Sequence, residues 1–560
     1  MSHEGTDAGM ISTEMIEPLR QGLFRRIWTA SLLSNTGRMI QGVGAGWAMV
    51  EMNGTPEQVA LVQTALTLPI TLFALPAGAI ADIYDRRLVI LFSIIASLVG
   101  SVLLSIAVFG GQVGPASLLI FTFLVGSGMA LFGPSWQASV GEQVTPALLP
   151  SAIALNSVSF NVARSFGPAI GGVIVAWAGV AAAFIAAAVC YLPLIAVMIL
   201  WKRAREIPRL PPERLIEATV AGLRYVLHSP RIRTPLWRTF SAAFAGTAIA
   251  ALLPLIARDI LHGDSRIFGL LLGAFGIGAV LGGLALASLR AKFSTEAIMR
   301  LCSLSLATMA VVVGSSHSQI VTSLALAVAG ACWLISVAIC NISIQLTAPR
   351  WVAGRTLATF QAATAGGIAL GGWAWGRAAT EIGLAGALYA SAALLVLVAL
   401  ILGRWMPMPI VNVEDKEMSA QRKELSAALA LTPRSGPIAV EIDYRIAPDR
   451  ARQFYILVQE LQRSRKRNGA RSCSVARDIR DPWIWRERYV CATWLDFLRQ
   501  RDRPTVKEAQ IQKEVAALHA GPEAIRATIM LERPMGSVRW KEATPDHGLL
   551  PIEPSGVSTP

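Results

Sequence analysis

A polar decapeptide ends one long apolar stretch of the chain and begins the next: Gly78-Ala-Ile-Ala-Asp82-Ile-Tyr-Asp85-Arg86-Arg87. Each neighbouring stretch has about 20 apolar residues, the length of a helix that crosses the hydrocarbon core of a bilayer. A loop this short joins two helix ends on the same side of a membrane. Its charges are costly there unless they pair. We therefore expect Gly78, Asp82, Asp85, Arg86 and Arg87 to form a latch between neighbouring helix ends, the alternative being a simple basic turn.

The composition of the whole chain is also that of a membrane protein. Of the 560 residues, 54% are apolar and 15% are charged, and the mean hydropathy is +0.52. A soluble domain has roughly 25% charged residues, so an ordinary soluble enzyme, a disordered chain and a coiled coil are excluded. The net charge of +14 is typical of loops that face anionic lipid, so we expect a lipid bilayer and no nucleic acid as partner. The six cysteines lack metal-ligand spacing, and we predict no metal and no cofactor.

Apolar stretches long enough to cross a membrane recur twelve times, six before and six after a basic middle segment. The predicted fold class is an all-α polytopic membrane protein with two six-helix halves, followed by a small α+β domain. The stretches are 27–50, 57–80, 88–109, 116–140, 150–177, 180–201, 237–257, 267–289, 297–314, 320–346, 352–376 and 384–403. The predicted domains are an N-terminal segment 1–26, a first half 27–201, a linker with an amphipathic helix 202–236, a second half 237–404, a linker 405–435, a C-terminal domain 436–535 and a disordered tail 536–560.

The connections between these stretches alternate in charge. The connections on the side of the N-terminus carry nineteen Lys and Arg residues, whereas those on the opposite side carry three. The nineteen include basic residues at the adjoining helix ends, since the segments counted are 1–26, 81–87, 141–149, 202–238, 290–300 and 349–355. Basic loops stay on the cytoplasmic side of a membrane. We therefore predict a multi-pass protein of the plasma (inner) membrane with both termini in the cytoplasm.

The two halves contain related sequences 200 residues apart. Residues 161–172 read NVARSFGPAIGG and residues 361–372 read QAATAGGIALGG, with five of the twelve positions identical and a phenylalanine directly before each run. Small residues at this spacing let membrane helices approach closely. Two repeated six-helix halves around a site at the bilayer midplane are typical of a transporter.

Several motifs resemble those of the major facilitator superfamily. The 78–87 decapeptide resembles its signature between the second and third helices, and Asp82 and Arg86 match the gating acid and base of that signature. The run Gly167-Pro168-Ala-Ile-Gly171-Gly172 resembles the motif of the superfamily's antiporters, which implies export, and proline in a helix predicts a bend.

Two longer runs are similar to one branch of that superfamily. Residues 132–138 (FGPSWQA) and 149–168 look like the enterobactin-exporter-like branch, also called transmembrane secretion effectors. The resemblance implies secondary active export of a small organic molecule by alternating access, with no enzymatic activity in the membrane part. Multidrug efflux and lysolipid flipping by the same fold are the alternatives. Proton antiport finds no support in the residues, because Thr122 stands where many proton antiporters have arginine and no acid or histidine lies deep in a span.

Two arginines, Arg38 and Arg164, lie deep within the predicted spans, away from the span ends. An arginine that faces lipid is costly, so these polar helix faces should turn to an interior cavity. With no deep acid, that cavity favours an anionic or siderophore-like substrate. The candidate substrate-binding residues are Asn35, Arg38, Gln41, Asn156, Asn161, Arg164 and Gln361.

The C-terminal domain has the composition of a soluble protein. Alternating residues at 438–446 predict a half-buried strand, and the pattern continues as β-α-β-β-α-β, the order of a ferredoxin-like fold. The pattern resembles the antibiotic-biosynthesis-monooxygenase type, which implies a homodimer through this domain. A membrane-anchored enzyme or sensor with its activity in this domain is a further alternative.

Overall fold

The computed structural model describes residues 17–111, 113–145, 148–201, 215–349, 352–409, 429 and 431–532. Within these ranges, the backbone alone is described at 75, 79, 81–83, 138, 150, 215–218 and 221. The chain forms two compact units. The first unit contains the described residues up to Val220, with Arg231–Gln345 and Gly354–Pro409, and the second contains Ala221–Pro230, Leu346–Ala353 and the described residues after Ile410.

The first unit is helical. Its helices are α1 (Gly22–Glu51), α2 (Pro56–Ile83), α3 (Arg86–Phe109), α4 (Pro115–Ser139), α5 (Leu149–Leu200), α6 (Leu215–Leu227, which passes into the second unit), α7 (Pro230–Leu255), α8 (Ser265–Lys292), α9 (Thr295–Ser315), α10 (Gln319–Thr347) and α11 (Ala353–Trp405). Local sequence sets several starts. Thr55 and Gln58 form a capping box before α2, and Asp85 begins α3 by accepting a hydrogen bond from the Arg87 amide.

The two longest helices are each broken by a glycine. A straight 52-residue helix such as α5 would be about 78 Å long, more than twice the thickness of a bilayer core. Gly179 in α5 and Gly383 in α11 have positive φ angles of 79° and 78° and non-helical ψ angles, which divide each helix into two segments. The non-helical backbone therefore lies at Gly179, while the bend that the sequence predicts at Pro168 stays a prediction.

Nine helices of the described part are long and apolar enough to cross a membrane. They are α2 to α5 and α7 to α11, with α5 and α11 counted once each. The first predicted stretch forms α1, which is 30 residues long but does not belong to these nine. The predicted membrane protein is therefore found as a mostly helical chain with nine candidate spans.

The repeated glycines have equivalent positions in the two halves. A Cβ on Gly167 or Gly171 would lie within 3.2 Å of α1, and one on Gly367 or Gly371 would lie within 2.6 Å of α7. The first helix segment of α5 thus packs on α1 as the first segment of α11 packs on α7. Only glycine permits these close approaches, so the sequence repeat is also a structural repeat.

The core differs between the two ends of the bundle. We call the end with residues 52–55, 110–111, 113–114 and 261–264 the Gly54 end, and the end with residues 84–85, 140–145, 148 and 293–294 the Arg86 end. At the Gly54 end, one buried cluster joins both halves and includes Val50, Val59, Leu253, Phe268 and Trp375. At the Arg86 end, the two clusters described contain residues of the first half alone.

The second unit contains a four-stranded antiparallel sheet. Its elements are β1 (Ile438–Arg445), α12 (Ala451–Asn468), β2 (Ser472–Arg477), β3 (Ile484–Cys491), α13 (Trp494–Asp502), α14 (Val506–Ala517) and β4 (Arg526–Leu531), and the strand order is β2-β3-β1-β4. The register pairs Ile442 of β1 with Glu487 of β3 and with Ala527 of β4. The sequence pattern predicted the strands and two of the helices but missed α13. The predicted amphipathic linker helix is found as α6, while residues 202–214 and the tail 536–560 lie outside the described residues.

Candidate functional site

The two halves meet where α5 crosses α8. A Cβ on Gly172 would lie 2.7 Å from the Ser265 carbonyl oxygen and 2.8 Å from the Gly269 Cα, so that these backbones touch. The last close approach toward the Arg86 end joins Gly276 to the backbone of Arg164. The crossing therefore extends from the Gly54 end as far as Arg164.

Beyond Arg164, the same faces of both helices are exposed. The α5 stripe that includes Pro168 and Arg164 continues at four-residue spacing to Phe160 and on to Ile153, which are 39% and 53% exposed. On α8, the stripe of Gly269 and Gly276 continues at seven-residue spacing to Gly283, which is exposed. A face that is packed at one end and exposed at the other indicates that α5 and α8 separate toward the Arg86 end.

Arg38 lies at this separation. Its guanidinium donates a hydrogen bond of 2.5 Å to Asn35 Oδ1, one turn earlier on α1, and lies over the Phe160 ring at 5.7 Å from the centroid. The side chains of Asn35 and Arg38 are half-buried. The buried Nε of Arg38 has no hydrogen-bond partner in the described part of the chain.

Arg164 lies one turn after Phe160 and contacts the second half. Its guanidinium is 5.6 Å from the centroid of the Phe275 ring on α8, within the range of a cation–π contact. Among the described residues, no carboxylate lies within ion-pair distance of Arg164 or of Arg38. We call Arg38 and Arg164 the arginine pair.

The arginine pair lies in the middle of its helices. Arg38 is 16 residues from the start of α1 and 13 from its end, and Arg164 is 15 residues from the start of α5 and 15 from the break at Gly179. At 1.5 Å per residue, these positions are about 20–24 Å from either helix end. Two unpaired positive charges at this depth give the space between α5 and α8 a positive potential, because low-dielectric walls strengthen the field.

The other predicted binding residues are distributed differently. The Asn161 amide donates to the Ser157 carbonyl at 2.9 Å, and the amide nitrogen of the half-buried Asn156 has no partner among the described residues. Gln361, at the repeat position of Asn161, is exposed.

Gln41 is 2% exposed, and its side-chain oxygen accepts hydrogen bonds from Ser101 at 2.9 Å and Tyr191 at 3.0 Å. Helical spacing predicted that it shares a face with Arg38. It lies instead among buried side chains of the first half, because the offset of roughly 60° between positions i and i+3 is enough to turn it toward Ser101 of α3 and Tyr191 of α5.

The predicted latch forms contacts within the first half. Arg86 forms an ion pair of 2.7 Å with Glu142, and Arg87 donates to the Ile199 carbonyl at 2.6 Å. Asp85 caps α3. Asp82 lies in the last turn of α2, and its side chain lies outside the described residues. The gating role of Asp82 stays a prediction.

The second half has an ionic centre at the Arg86 end that the sequence analysis missed. Glu296 accepts from Arg238 and from Arg300 at 3.1 Å each, and it also accepts from the Met408 amide. Arg300 in turn donates to the Gly403 carbonyl at 2.8 Å, as Arg87 does to Ile199. Arg238, the second residue of the predicted stretch 237–257, is buried in α7 at 2% exposure. Only the fold brings these distant residues together.

The helices α2 and α11 form a second contact between the halves. At the Gly54 end, Arg377 lies 3.6 Å from Glu57, and a Cβ on Gly372 would lie 2.7 Å from the Thr64 hydroxyl. The contact extends to the Arg86 end, where a Cβ on Gly78 would meet the Ala358 methyl at 3.7 Å. The halves are thus closed at the Gly54 end, and the separation lies on the side of α5 and α8.

Comparison with solved structures identifies the fold of the helical unit. A bacterial homologue of the human lysosomal transporter Spinster, in an inward-facing and unoccupied conformation, superposes with a TM-score of 0.55 at 15% identity over 70% of this chain and 98% of that one. A POT peptide transporter gives 0.56 at 14% identity over 69% and 94%. Both are transporters, and at this identity the likeness concerns the fold alone.

Sequence comparison identifies the relatives of the chain. A staphyloferrin A transporter of Staphylococcus aureus (strain NCTC 8325 / PS 47) is 27% identical over 262 residues, which are 46% of this chain and 65%, just under two thirds, of that protein. The multidrug efflux pump Tap of Mycolicibacterium fortuitum is 26% identical over 355 residues, 60% of this chain and 84% of the pump. The family model described as transmembrane secretion effector matches residues 13–535. The chain therefore belongs to the transmembrane secretion effector family, a branch of the major facilitator superfamily of membrane transporters.

Proposed function

We propose that this protein exports a small organic anion across the plasma membrane by alternating access, with twelve crossings in two six-helix halves. The observation that carries the proposal is the arginine pair, two cations without a carboxylate partner in the described residues, halfway along helices that separate toward the Arg86 end. Transport sites of this architecture lie near the bilayer midplane. An anion that enters there gains two favourable charge interactions, whereas a cation meets repulsion.

The geometry of the arginine pair favours a planar acid or a metal-chelating molecule with acidic hydroxyls. A guanidinium presents two parallel donors, which match the two oxygens of a carboxylate or a catechol. The exposed ring of Phe160 next to Arg38 offers a surface on which an aromatic group can stack. A siderophore-like molecule combines these groups.

The closed Gly54 end and the separation beside Arg164 correspond to one state of an alternating-access cycle. In the opposite state, the contact between Gly172 and Gly269 opens and the faces of α5 and α8 that are now exposed come together. Because the spans contain no deep acid, the substrate's own acidic group is the natural carrier of any coupled proton.

The test is transport of matched compounds by proteoliposomes. We expect the wild type to move 2,3-dihydroxybenzoate and not tetraphenylphosphonium. Arg38→Gln removes one positive charge and the two parallel donors of the guanidinium. We expect it to lower the anion flux at low substrate concentration about tenfold, equivalent to about 1.4 kcal/mol of binding free energy. Thr308→Ala, a substitution at an exposed polar position of the second half whose hydroxyl donates to the Leu304 carbonyl of its own helix, serves as the control and should keep the wild-type flux.

General multidrug efflux is the second candidate, favoured by the similarity to the pump Tap and by the exposed apolar side chains that flank Arg164 on α5 and α8. Robust transport of tetraphenylphosphonium that is insensitive to Arg38→Gln would contradict the anion proposal and support this candidate.

We infer that the Arg86 end faces the cytoplasm, as the nineteen-to-three charge distribution predicts. Single cysteines at Gly54 or Ser316 should then react with an impermeant thiol reagent applied to intact cells, and a cysteine at Ser435 should not. Reversed labelling would overturn this orientation, and the direction of transport with it.

We infer further that the C-terminal domain has a ferredoxin-like fold and pairs with a second copy. The strand order β2-β3-β1-β4 with all neighbours antiparallel supports the fold. The exposed edge strand β4, where Ile529 and Met530 are each 38% exposed, supports the pairing. Light scattering measures the mass of the purified full-length protein and of the Ile529→Lys variant. A dimer mass for the wild type and a monomer mass for the variant are expected. A mass that the substitution leaves unchanged would contradict this interface.

A further inference from the structure

A cavity of about 320 Å³ lies between the sheet and the helices of the C-terminal domain. Val440 and Ile442 of β1 form its apolar floor, Tyr489 and Phe497 form aromatic walls, and Gln500 and Arg501 contribute polar groups. This volume is at the lower end of the range for small-molecule sites. The cavity lies outside the helical unit, and it plays no part in the transport site.

The strongest charges beside the cavity satisfy each other. Arg465, 5% exposed, donates from Nε and Nη2 to the two carboxylate oxygens of the fully buried Glu487, at 2.6 and 3.1 Å. Tyr444 donates a third hydrogen bond to Glu487, and the Arg465 guanidinium lies 4.2 Å from the centroid of the Tyr489 ring. This paired group is a fixed wall of the cavity, with its charges already compensated.

The amide of Gln500 is different. The residue is 4% exposed, it lines the cavity, and its side chain forms no hydrogen bond with another described residue, while its amide atoms are not among the fully enclosed polar atoms. An amide placed in this way can form a hydrogen bond with a bound molecule. The charged residues of the lining are Arg465, Arg501 and Glu508. Counted together with the ion-pair partners Glu487 and Arg467, they carry a net of one positive charge, which favours an acid as ligand.

A chain of contacts leads from the cavity to the linker. Glu508, which lines the cavity, pairs with Arg467, and it also accepts from the Asn468 amide at 3.2 Å. The Arg467 guanidinium lies 5.6 Å from the centroid of the Tyr225 ring. Tyr225 is 5% exposed and belongs to the segment 221–230, which runs directly into α7 of the second half.

We propose that this cavity binds a small aromatic carboxylic acid and that Glu508, Arg467 and Tyr225 transmit its occupancy to the segment 221–230. The floor and the aromatic walls hold the ring, the Gln500 amide hydrogen-bonds to the acid, and Arg501 attracts its charge. Because Glu508 touches both the ligand and Arg467, binding changes how firmly Arg467 holds Tyr225. The C-terminal domain then regulates the transporter from a site that is separate from the proposed transport site.

The test uses the purified full-length protein, with 4-hydroxybenzoate as the probe and 4-hydroxybenzamidine as its cationic counterpart. Calorimetry measures binding, and hydrogen exchange followed by mass spectrometry measures protection of segments. We expect saturable binding of 4-hydroxybenzoate, with protection of 497–501 and of 221–230. Gln500→Leu should weaken binding about tenfold, because the amide contact is lost. Arg467→Met should keep binding but lose the protection of 221–230. Retained binding by this variant also shows that its domain is folded.

Each other result overturns a defined part of the proposal. No saturable binding, or equal binding by Gln500→Leu, overturns the site. Equal binding of 4-hydroxybenzamidine overturns the acidic ligand class. Binding without protection of 221–230 in the wild type, or protection that persists in Arg467→Met, overturns the coupling. None of these readouts involves transport, so they are independent of the proposed export.

Discussion

Residues 160–172 and 360–372 have related sequences and equivalent scaffold positions but different surroundings. Gly167 and Gly171 lie against α1, just as Gly367 and Gly371 lie against α7. In contrast, Phe160 is 39% exposed beside Arg38, whereas its counterpart Phe360 is 1% exposed.

The charged position also differs. Arg164 faces Phe275 across the halves, and Thr364 at the equivalent position donates to the Phe360 carbonyl of its own helix. The repeat therefore preserves how helices pack, and it does not preserve which groups face the separation between them. Substitutions at equivalent positions of the two halves test whether the repeat determines helix packing alone.

The largest expected difference is between the two phenylalanines. Phe360→Ala leaves a cavity in a packed region and should lower the free energy of unfolding by about 3 kcal/mol, whereas Phe160→Ala should change it by less than about 0.5 kcal/mol. Thermal unfolding of the purified variants measures both. Equal losses of stability would show that Phe160 is packed as tightly as Phe360.

The second largest effect is expected for the glycines at the two places where helices of the two halves cross. A side chain at Gly172 meets the backbone of Ser265 and Gly269, and overpacking costs about 1–3 kcal/mol. In Gly172→Leu the Gly54 end cannot close, so transport should fall by about 5- to 150-fold.

Gly372→Ala should have a smaller effect, since the atom nearest to its new Cβ is the Thr64 hydroxyl at the end of a side chain. Gly42→Leu is the control, because a Cβ there meets no atom within 4 Å. If Gly172→Leu transports as well as Gly42→Leu, closure at this crossing is not required.

A third pair compares Arg164 with its counterpart Thr364. Arg164→Gln removes a positive charge from the separation and should lower the kcat/KM of anion transport about tenfold, while Thr364→Ala should leave it within about twofold. Initial rates over a range of substrate concentrations give these values. A similar loss in both variants would mean that packing, and not charge, explains the effect.

The smallest expected effects concern the arginines that cap the last helix segment of each half. Arg87→Gln loses the hydrogen bond to the Ile199 carbonyl, worth about 1 kcal/mol or less. Arg300→Gln loses the equivalent bond to Gly403 and also an ion pair with Glu296, so it should destabilise slightly more. Chemical denaturation measures the free energy of unfolding of the two variants. A larger loss of stability in Arg87→Gln than in Arg300→Gln would contradict the assigned role of Glu296.

Much of the fold is determined by the sequence. Apolar runs of membrane length, short loops and the glycine repeat predict a helical membrane protein with two related halves, and the motifs at 78–87 and 149–172 predicted the family that the comparison confirmed. These features are local, because length, hydropathy and small residues act through neighbours along the chain. The four strands of the C-terminal domain similarly lie where its sequence pattern predicted them.

Only the tertiary structure decided which polar residues act together. Arg38 and Gln41 lie three residues apart on α1, yet one faces the separation between the halves and the other is buried against Ser101 and Tyr191. Glu296 and Arg238 lie 58 residues apart and form one ionic centre. The cavity beside Gln500 depends on a helix, α13, that the pattern did not reveal. Sequence periodicity gives the angle of a side chain about its own helix, but its partners depend on which helices and strands pack against it, and that is a property of the complete fold.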